Sequence, residues 1–276
     1  MSVWFVTGAS RGLGMEIVKA ALDRGDQVVA TARNPRSIEE ALPGNADNLL
    51  AVPLDVTDQA QAVAAVKAAV DRFGGIDVLV NNAGRGLVGA VEETSDAEAR
   101  SVFDANVFGL LTVLRAALPV MRNARTGRIL NISSTGGVVA WQGWGVYSST
   151  KFAIEGITEA LRLEAAPLGI QVGSIQLGPM RTDFLSSTSL HSVEHVIDDY
   201  NGTAGAARAW ADENHGGQEG DPVKAARAIV GLADLATVPA RIPLGTSTVS
   251  DIRAKLAAVA EEVDALEELA RSTDAA

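Results

Sequence analysis

Tyr147 and Lys151 stand four residues apart in Tyr147-Ser148-Ser149-Thr150-Lys151, a spacing that brings a phenol and an ammonium to one face of a helix. Such a pair can transfer a proton: a free phenol titrates at ~10, and a neighbouring ammonium favours the phenolate. The chain has two tyrosines and five lysines, at 19, 67, 151, 224 and 255, so the pairing is uncommon by chance. Ser134, 13 residues before Tyr147, follows an apolar run and could hydrogen-bond a carbonyl oxygen. An ordinary turn serine at a strand end is the plainer reading of that residue taken alone. A second constellation is Thr7-Gly8-Ala9-Ser10-Arg11-Gly12-Leu13-Gly14, directly after the first apolar run. Gly8 permits a sharp turn, Gly12 lets backbone approach a diphosphate, and Gly14 allows close helix packing, so helix N–H groups can face an anion.

Two other motifs overlap these regions. Gly8-Ala9-Ser10-Arg11-Gly12 also fits the G-x-S-x-G turn of serine hydrolases, but it would follow the very first strand, and only three histidines could supply the base. His191-Ser192-Val193-Glu194-His195 fits a zinc-peptidase pattern on a helix, yet no third ligand is identifiable, and solvated histidines account for it; no metal is expected.

The elements that must hold these residues alternate short β-branched runs with longer segments of helical period, the pattern of a parallel sheet covered on both faces. The strand expectations are Val3 to Thr7, Gln27 to Thr31, Leu49 to Leu54, Asp77 to Asn81, Arg128 to Ile132, Gln171 to Gln176 and Arg241 to Leu244. Between Asp58 and Phe73, Val63, Val66 and Val70 recur at helical spacing behind Asp58 as N-cap. No repeat or linker divides the chain, so one catalytic domain over 1–276 is expected. Residues 182–221 are polar and weakly periodic, which predicts an irregular lid. Residues 250–270 predict a helix with Ile252, Leu256, Val259, Val263, Leu266 and Leu269 on one stripe, packed on the domain or on a partner subunit.

Composition narrows the classes. The 276 residues carry 34 acids against 23 bases, a net charge of -11, and are 47% hydrophobic. That excludes a disordered chain and argues against a general nucleic-acid or anionic-membrane binder. With no cysteine there is no disulfide, thiolate metal site or thiol nucleophile. The N-terminus lacks a signal-peptide pattern and no run reaches ~18 uninterrupted apolar residues, which together predict a cytoplasmic protein without a membrane span.

Taken together, these landmarks resemble the short-chain dehydrogenase/reductase family from Val3 to about Thr182. They are TGASRGLG at 7–14, Leu54-Asp55-Val56, Asn81-Asn82-Ala83-Gly84, Asn106 of Asn-Val-Phe-Gly, Ser134, Tyr147 and Lys151. The resemblance implies a single Rossmann-type α/β fold, a doubly wound parallel sheet with helices on both faces. It also implies hydride transfer between a carbonyl and a secondary alcohol, with Asn106, Ser134, Tyr147 and Lys151 as catalytic residues. Gly8, Ser10, Arg11, Gly12, Leu13 and Gly14, with Asp55 and Val56 near the adenine and Asn82, Ala83 and Gly84 along the cleft, would bind the cofactor, joined by Tyr147, Lys151, Gly178 and Thr182. One departure lies in Leu177-Gly178-Pro179-Met180-Arg181-Thr182, which lacks the family's first proline. At the end of the second strand Ala32 takes the family's acidic position and Arg33 follows, so Arg33 and Arg11 would accept the 2′-phosphate of NADP(H). Val138, Val139, Trp141, Trp144, Phe184 and Leu185 suggest an apolar pocket for a hydrophobic small-molecule carbonyl or alcohol, with Arg181 the one candidate for a carboxylate. The long helices Ala99–Met121 and Tyr147–Ala166 would pair into a homodimer or homotetramer. The alternative to an enzyme is a non-catalytic NADP-binding regulatory protein.

Overall fold

In β1 (Val3–Val6), Trp4 and Val6 join the core on one side of the sheet and Phe5 the core on the other, and all are buried. That is what a central strand of a doubly covered sheet requires. The computed structural model describes residues 1–275 and places β1 among seven parallel strands. The others are β2 (Gln27–Ala32), β3 (Leu49–Pro53), β4 (Val78–Asn81), β6 (Gly127–Ile132), β7 (Ile170–Leu177) and β9 (Arg241–Leu244), in the order β3-β2-β1-β4-β6-β7-β9. All seven expected strands are present, and the architecture is the Rossmann-type α/β fold. A short parallel pair, β5 (Gly86–Val88) with β8 (Leu190–Ser192), lies apart from the main sheet.

One face of the sheet is covered by α1 (Gly12–Asp23), α2 (Arg36–Ala41) and α8 (Pro222–Gly231), which bury Ile17, Ile38 and Ile229. The other carries α3 (Gln59–Phe73), α5 (Gly109–Ala124) and α6 (Gly145–Ala165), with Val66, Val113 and Ile154 in the core. α3 starts where expected: the Asp58 carboxylate accepts from Ala60 N and Gln61 N, and it stops at Gly74, whose φ of +85° is left-handed.

The helix expected over Ala99–Met121 is not continuous. α4 (Asp96–Phe103) opens on a Ser95/Glu98 capping box, passes into a wide five-residue π turn at Asp104–Phe108, and continues as α5. The extra residue in that turn places Asn106 inward, as such insertions do at functional sites. The run Asp96–Ala124 is long and apolar enough to cross a membrane by composition, but Leu110, Val113, Leu114, Ala117 and Met121 are spent on the core.

Residues 182–221 hold more structure than their polarity suggests. They contain β8, the 3-10 turns Asp183–Leu185 and Asp198–Tyr200, and α7 (Ala206–Asn214), which buries Ala207 and Ala211. His191 lies on strand β8 and His195 in an extended stretch, both exposed, so the shared helical face needed for zinc does not form. The last elements are α9 (Thr246–Ala265) and α10 (Glu267–Arg271). From Arg253 onward every described residue is exposed, so the apolar stripe does not pack on the rest of the chain.

Candidate active site

The sheet order reverses beside β1, where β2 leaves on one side and β4 on the other, and ligands of open α/β sheets sit at such a switch. Here the strand ends open onto a cleft of about 1260 Å³. The glycine turn forms one end of it. Gly8 and Gly12 have φ of +65° and +54°, and a Cβ on Gly14 would sit 2.3 Å from Gly8 O. Asn82 Nδ2 donates to Thr7 O (2.9 Å) and Gly8 O (3.0 Å), and Thr7 Oγ1 accepts from Asn82 N and Ala83 N. Asn82 thus fixes the shape of the turn. The N-terminus of α1 has no side-chain cap and no acid in its first turn, leaving its amides open to an anion. A dinucleotide fits this donor set and this length of cleft.

Ser134 follows β6, and Tyr147 and Lys151 lie on consecutive turns of α6; all three line the same cleft. Burial pushes the Tyr147 phenol up to about 12, and the neighbouring Ser134 hydroxyl, whose Oγ donates to Leu177 O and accepts from Gly136 N, pulls the other way. Lys151 Nζ donates to Ile132 O (2.9 Å) and sits 5.8 Å from the Tyr147 ring centroid. Burial lowers its ammonium to about 8, opposed by the Glu155 carboxylate one turn further along α6. Desolvation of the phenolate is the larger of the two influences on Tyr147. Trp144 and Phe184 hold the Tyr147 ring from two sides, with centroids at 5.8 and 5.7 Å.

Asn106 is buried and fully used within the protein. Its Oδ1 accepts from Arg85 N (2.8 Å), and its Nδ2 donates to Arg85 O (2.9 Å) and Thr150 Oγ1 (3.0 Å). It ties the loop after Gly84 to the helix carrying Tyr147 and Lys151, and its side chain makes no hydrogen bond to Ser134, Tyr147 or Lys151.

The remaining expected residues Ser10, Arg11, Leu13, Arg33, Asp55, Val56, Ala83, Gly84, Gly178 and Thr182 all line the cleft. Asp55 Oδ1 accepts from Thr57 N and Thr57 Oγ1, which shapes the bend after β3. Arg11 Nη2 donates to Thr188 O (3.1 Å) and Ser189 Oγ (2.9 Å), so it holds the segment after β7. Arg33 is exposed at the end of β2 with no carboxylate beside it on that strand. Arg181 lies outside the cleft lining and donates through Nε to Gln218 O, and Val138 and Val139 also fall outside the lining. No histidine lines the cleft, so Ser10 has no imidazole base there. Sequence reasoning missed Trp210 and Ala207 of α7, which complete the apolar wall formed by Trp141, Trp144, Phe184 and Leu185. The alternation Ala207/Ala211 was the signal for that helix.

The chain belongs to the short chain dehydrogenase family, whose model matches residues 2–192. It is 35% identical over 248 residues to oxidoreductase BOA17 of Botryotinia fuckeliana, with 90% of each chain covered. A short-chain dehydrogenase from Streptomyces avermitilis superposes with a TM-score of 0.92 at 38% identity, covering 99% of this chain and all of that one. More distant structures carry either cofactor: ElxO with NADP bound (TM-score 0.75, 25% identity, 91% of this chain and 100% of that one) and a 3-ketoacyl-(acyl-carrier-protein) reductase from Brucella melitensis with NADH (TM-score 0.73, 25% identity, 88% and 96%).

Proposed function

We propose that this chain is an NADP(H)-dependent oxidoreductase that interconverts a carbonyl and a secondary alcohol on a hydrophobic substrate, with residues 182–221 as the lid of one catalytic domain. The observation that carries the reading is the convergence of Ser134, Tyr147 and Lys151 on the cleft that begins at the glycine turn. The nicotinamide, when bound, supplies or takes the hydride. In reduction Tyr147 gives its phenolic proton to the substrate oxygen, and a phenol held near 12 stays protonated through the neutral range. Ser134 holds the same oxygen and stabilises charge developing there. Lys151, charged below about 8, supports negative charge on the Tyr147 oxygen and offers its ammonium to a ribose. In oxidation Tyr147 accepts the alcohol proton. Asn106 contributes by position, fastening α6 to the loop after Gly84.

Preference for NADP(H) rests on Arg33. An NAD site places a carboxylate at the end of the second strand, and here that strand ends on Ala32. Arg33 stands free for a 2′-phosphate, whereas Arg11 reaches it by exchanging its contacts with Thr188 and Ser189. One charged hydrogen bond of ~1.5–3 kcal/mol corresponds to roughly tenfold to a hundredfold in preference. Following reduced-cofactor absorbance over a panel of apolar carbonyl compounds, kcat/KM should be higher with NADPH, and Arg33→Ala should erase most of the difference. A higher value with NADH, or unchanged preference in Arg33→Ala, overturns the assignment. Cofactor binding without turnover across the panel favours the regulatory protein instead.

A further inference from the structure

We infer that the C-terminal helix α9 is a docking surface for a second copy of this chain, and that the two helices pair antiparallel. The first turn of α9 is rooted in the body. Thr248 is fully buried, accepts a hydrogen bond from Thr135 Oγ1 (2.9 Å) and donates to Leu244 O (3.1 Å). From Arg253 onward the helix runs free. Leu256, Val263 and Leu266 are 59%, 62% and 56% exposed. Helices of this length draw most of their stability from a packed apolar face, and this face is left in water.

The spacing of the stripe identifies the kind of occupant. Ile252, Leu256, Val259 and Val263 follow one another along α9 at intervals of four, three and four, the seam of a two-helix coiled coil, and Leu266, three further on, is the helix's C-cap. A broader stripe would suit a sheet or a globular groove; this one is as wide as another helix.

The charges identify which helix and in which direction. The N-terminal half of α9 carries Arg253 and Lys255 against Asp251, and its C-terminal end holds Glu261, Glu262 and Asp264 without a base, followed in α10 by Glu267 and Glu268. This order opposes the helix macrodipole, which favours acids at the start and bases at the end, so the isolated helix is electrostatically poor. An antiparallel second copy reverses that. Each acidic half then lies along a basic half, and the two macrodipoles oppose. With Leu256 beside Val259 of a second copy and Ile252 beside Val263 of a second copy, Lys255 flanks the seam next to Glu262 of a second copy, and the symmetry makes the contact twice. Parallel pairing would instead lay the acidic end of α9, Glu261, Glu262 and Asp264, along the same acids of a second copy. The acid-rich end likewise disfavours an anionic lipid surface.

The test is the mass of the full-length chain by light scattering at micromolar concentration. Leu256→Asp with Val263→Asp should lower the assembly mass about twofold. Lys255→Glu alone and Glu262→Lys alone should each weaken association by about fivefold or more, and the two together should restore it, because the swapped charges pair again. The restoration separates pairing from a helix that simply fails to form. Unchanged mass in the Asp variant, or no recovery in the double charge swap, overturns the inference. Cosedimentation with phosphatidylserine vesicles that is lost in the Asp variant would assign the face to a membrane and overturn it equally.

Discussion

In the proposed reaction, the phenol of Tyr147 serves as an acid only because something else carries the charge when the proton leaves. Buried at about 12, it holds its proton firmly, and Ser134 with Lys151 must make the phenolate tolerable at the moment of transfer. Replacing it with Phe keeps the ring between Trp144 and Phe184 and removes the proton. Turnover should fall ~100-fold or more with cofactor affinity little changed, as steady-state rates and fluorescence titration would read; retained activity would remove Tyr147 from the mechanism. The pH dependence belongs to Lys151. Its ammonium, lowered to about 8, is faced by Glu155 from its own helix and by Tyr147 in the cleft, and the Glu155 carboxylate is in turn 3.6 Å from Arg241 of β9. The charged form is present below that value, so kcat/KM for carbonyl reduction should be level at neutral pH and decline above about 8. Glu155→Gln removes the carboxylate that holds the ammonium's pKa up and keeps an acceptor for Ser174 and Gln176, so the decline should move to lower pH. A limb that stays in place would show that another group titrates.

At the scale of elements, one buried carboxylate ties the segment after β7 to the stretch before α4. Glu93 accepts from Ala90 N (2.8 Å), Ile197 N (3.0 Å) and Arg208 Nη1 (2.7 Å), joining the stretch before α4 to the segment ahead of α7 and to α7 itself. The Arg208 hydrogen bond, with the two amides, holds its carboxyl down at about 2. A lowered folded-state value means that the contribution is complete above the ordinary value of 4.5 and is lost as pH falls from there towards 2. Glu93→Gln should therefore lower Tm at pH 7 by roughly 5 °C, raise KM for an apolar substrate, and show a gap to the parent that narrows between pH 5 and 3. A constant gap would mean that packing, not charge, is lost. The elements that sequence reasoning located were those with a pattern long enough to read: strands buried on both faces appear as continuous apolar runs, and Tyr147 and Lys151 share a face through helical spacing. β5 and β8 have three residues each and pair across a hundred positions, so no local period betrays them. The π turn at Asp104–Phe108 left no mark either, since one extra residue within an apolar helix leaves composition unchanged. Arg11 was legible as a cation near the turn, but its contacts with Thr188 and Ser189 depend on a chain reversal far along the sequence.

For the molecule as a whole, a net charge of -11 must be reconciled with apolar surface that has no partner within the chain. Beside single exposed residues such as Val91, Trp141 and Trp210, two parts of that surface are faces of long helices. One is α9; the other is the outer face across α5 and α6, where Phe108 at the end of the π turn and Phe152 and Leu163 of α6 are exposed. Phe152 and Leu163 are eleven residues apart and so share a helical face, and between them Gly156 has open space around it, which allows a facing helix to approach closely. Pairing of these helices across a two-fold axis other than the proposed one through α9 would bury that face. Two independent two-fold contacts generate a tetramer, and removing either should leave a dimer. Phe152→Glu with Leu163→Glu should therefore lower the mass about twofold by light scattering, and combining it with Leu256→Asp and Val263→Asp should give a monomer. A parent chain that is monomeric at micromolar concentration would reject both contacts. The α6 variant should also lose activity beyond its loss of mass, because α6 carries Tyr147 and Lys151 and is bound through Thr150 to Asn106; the α9 variant, whose helix reaches the cleft through Ser247 and Asp251 and not through Leu256 or Val263, should lose less.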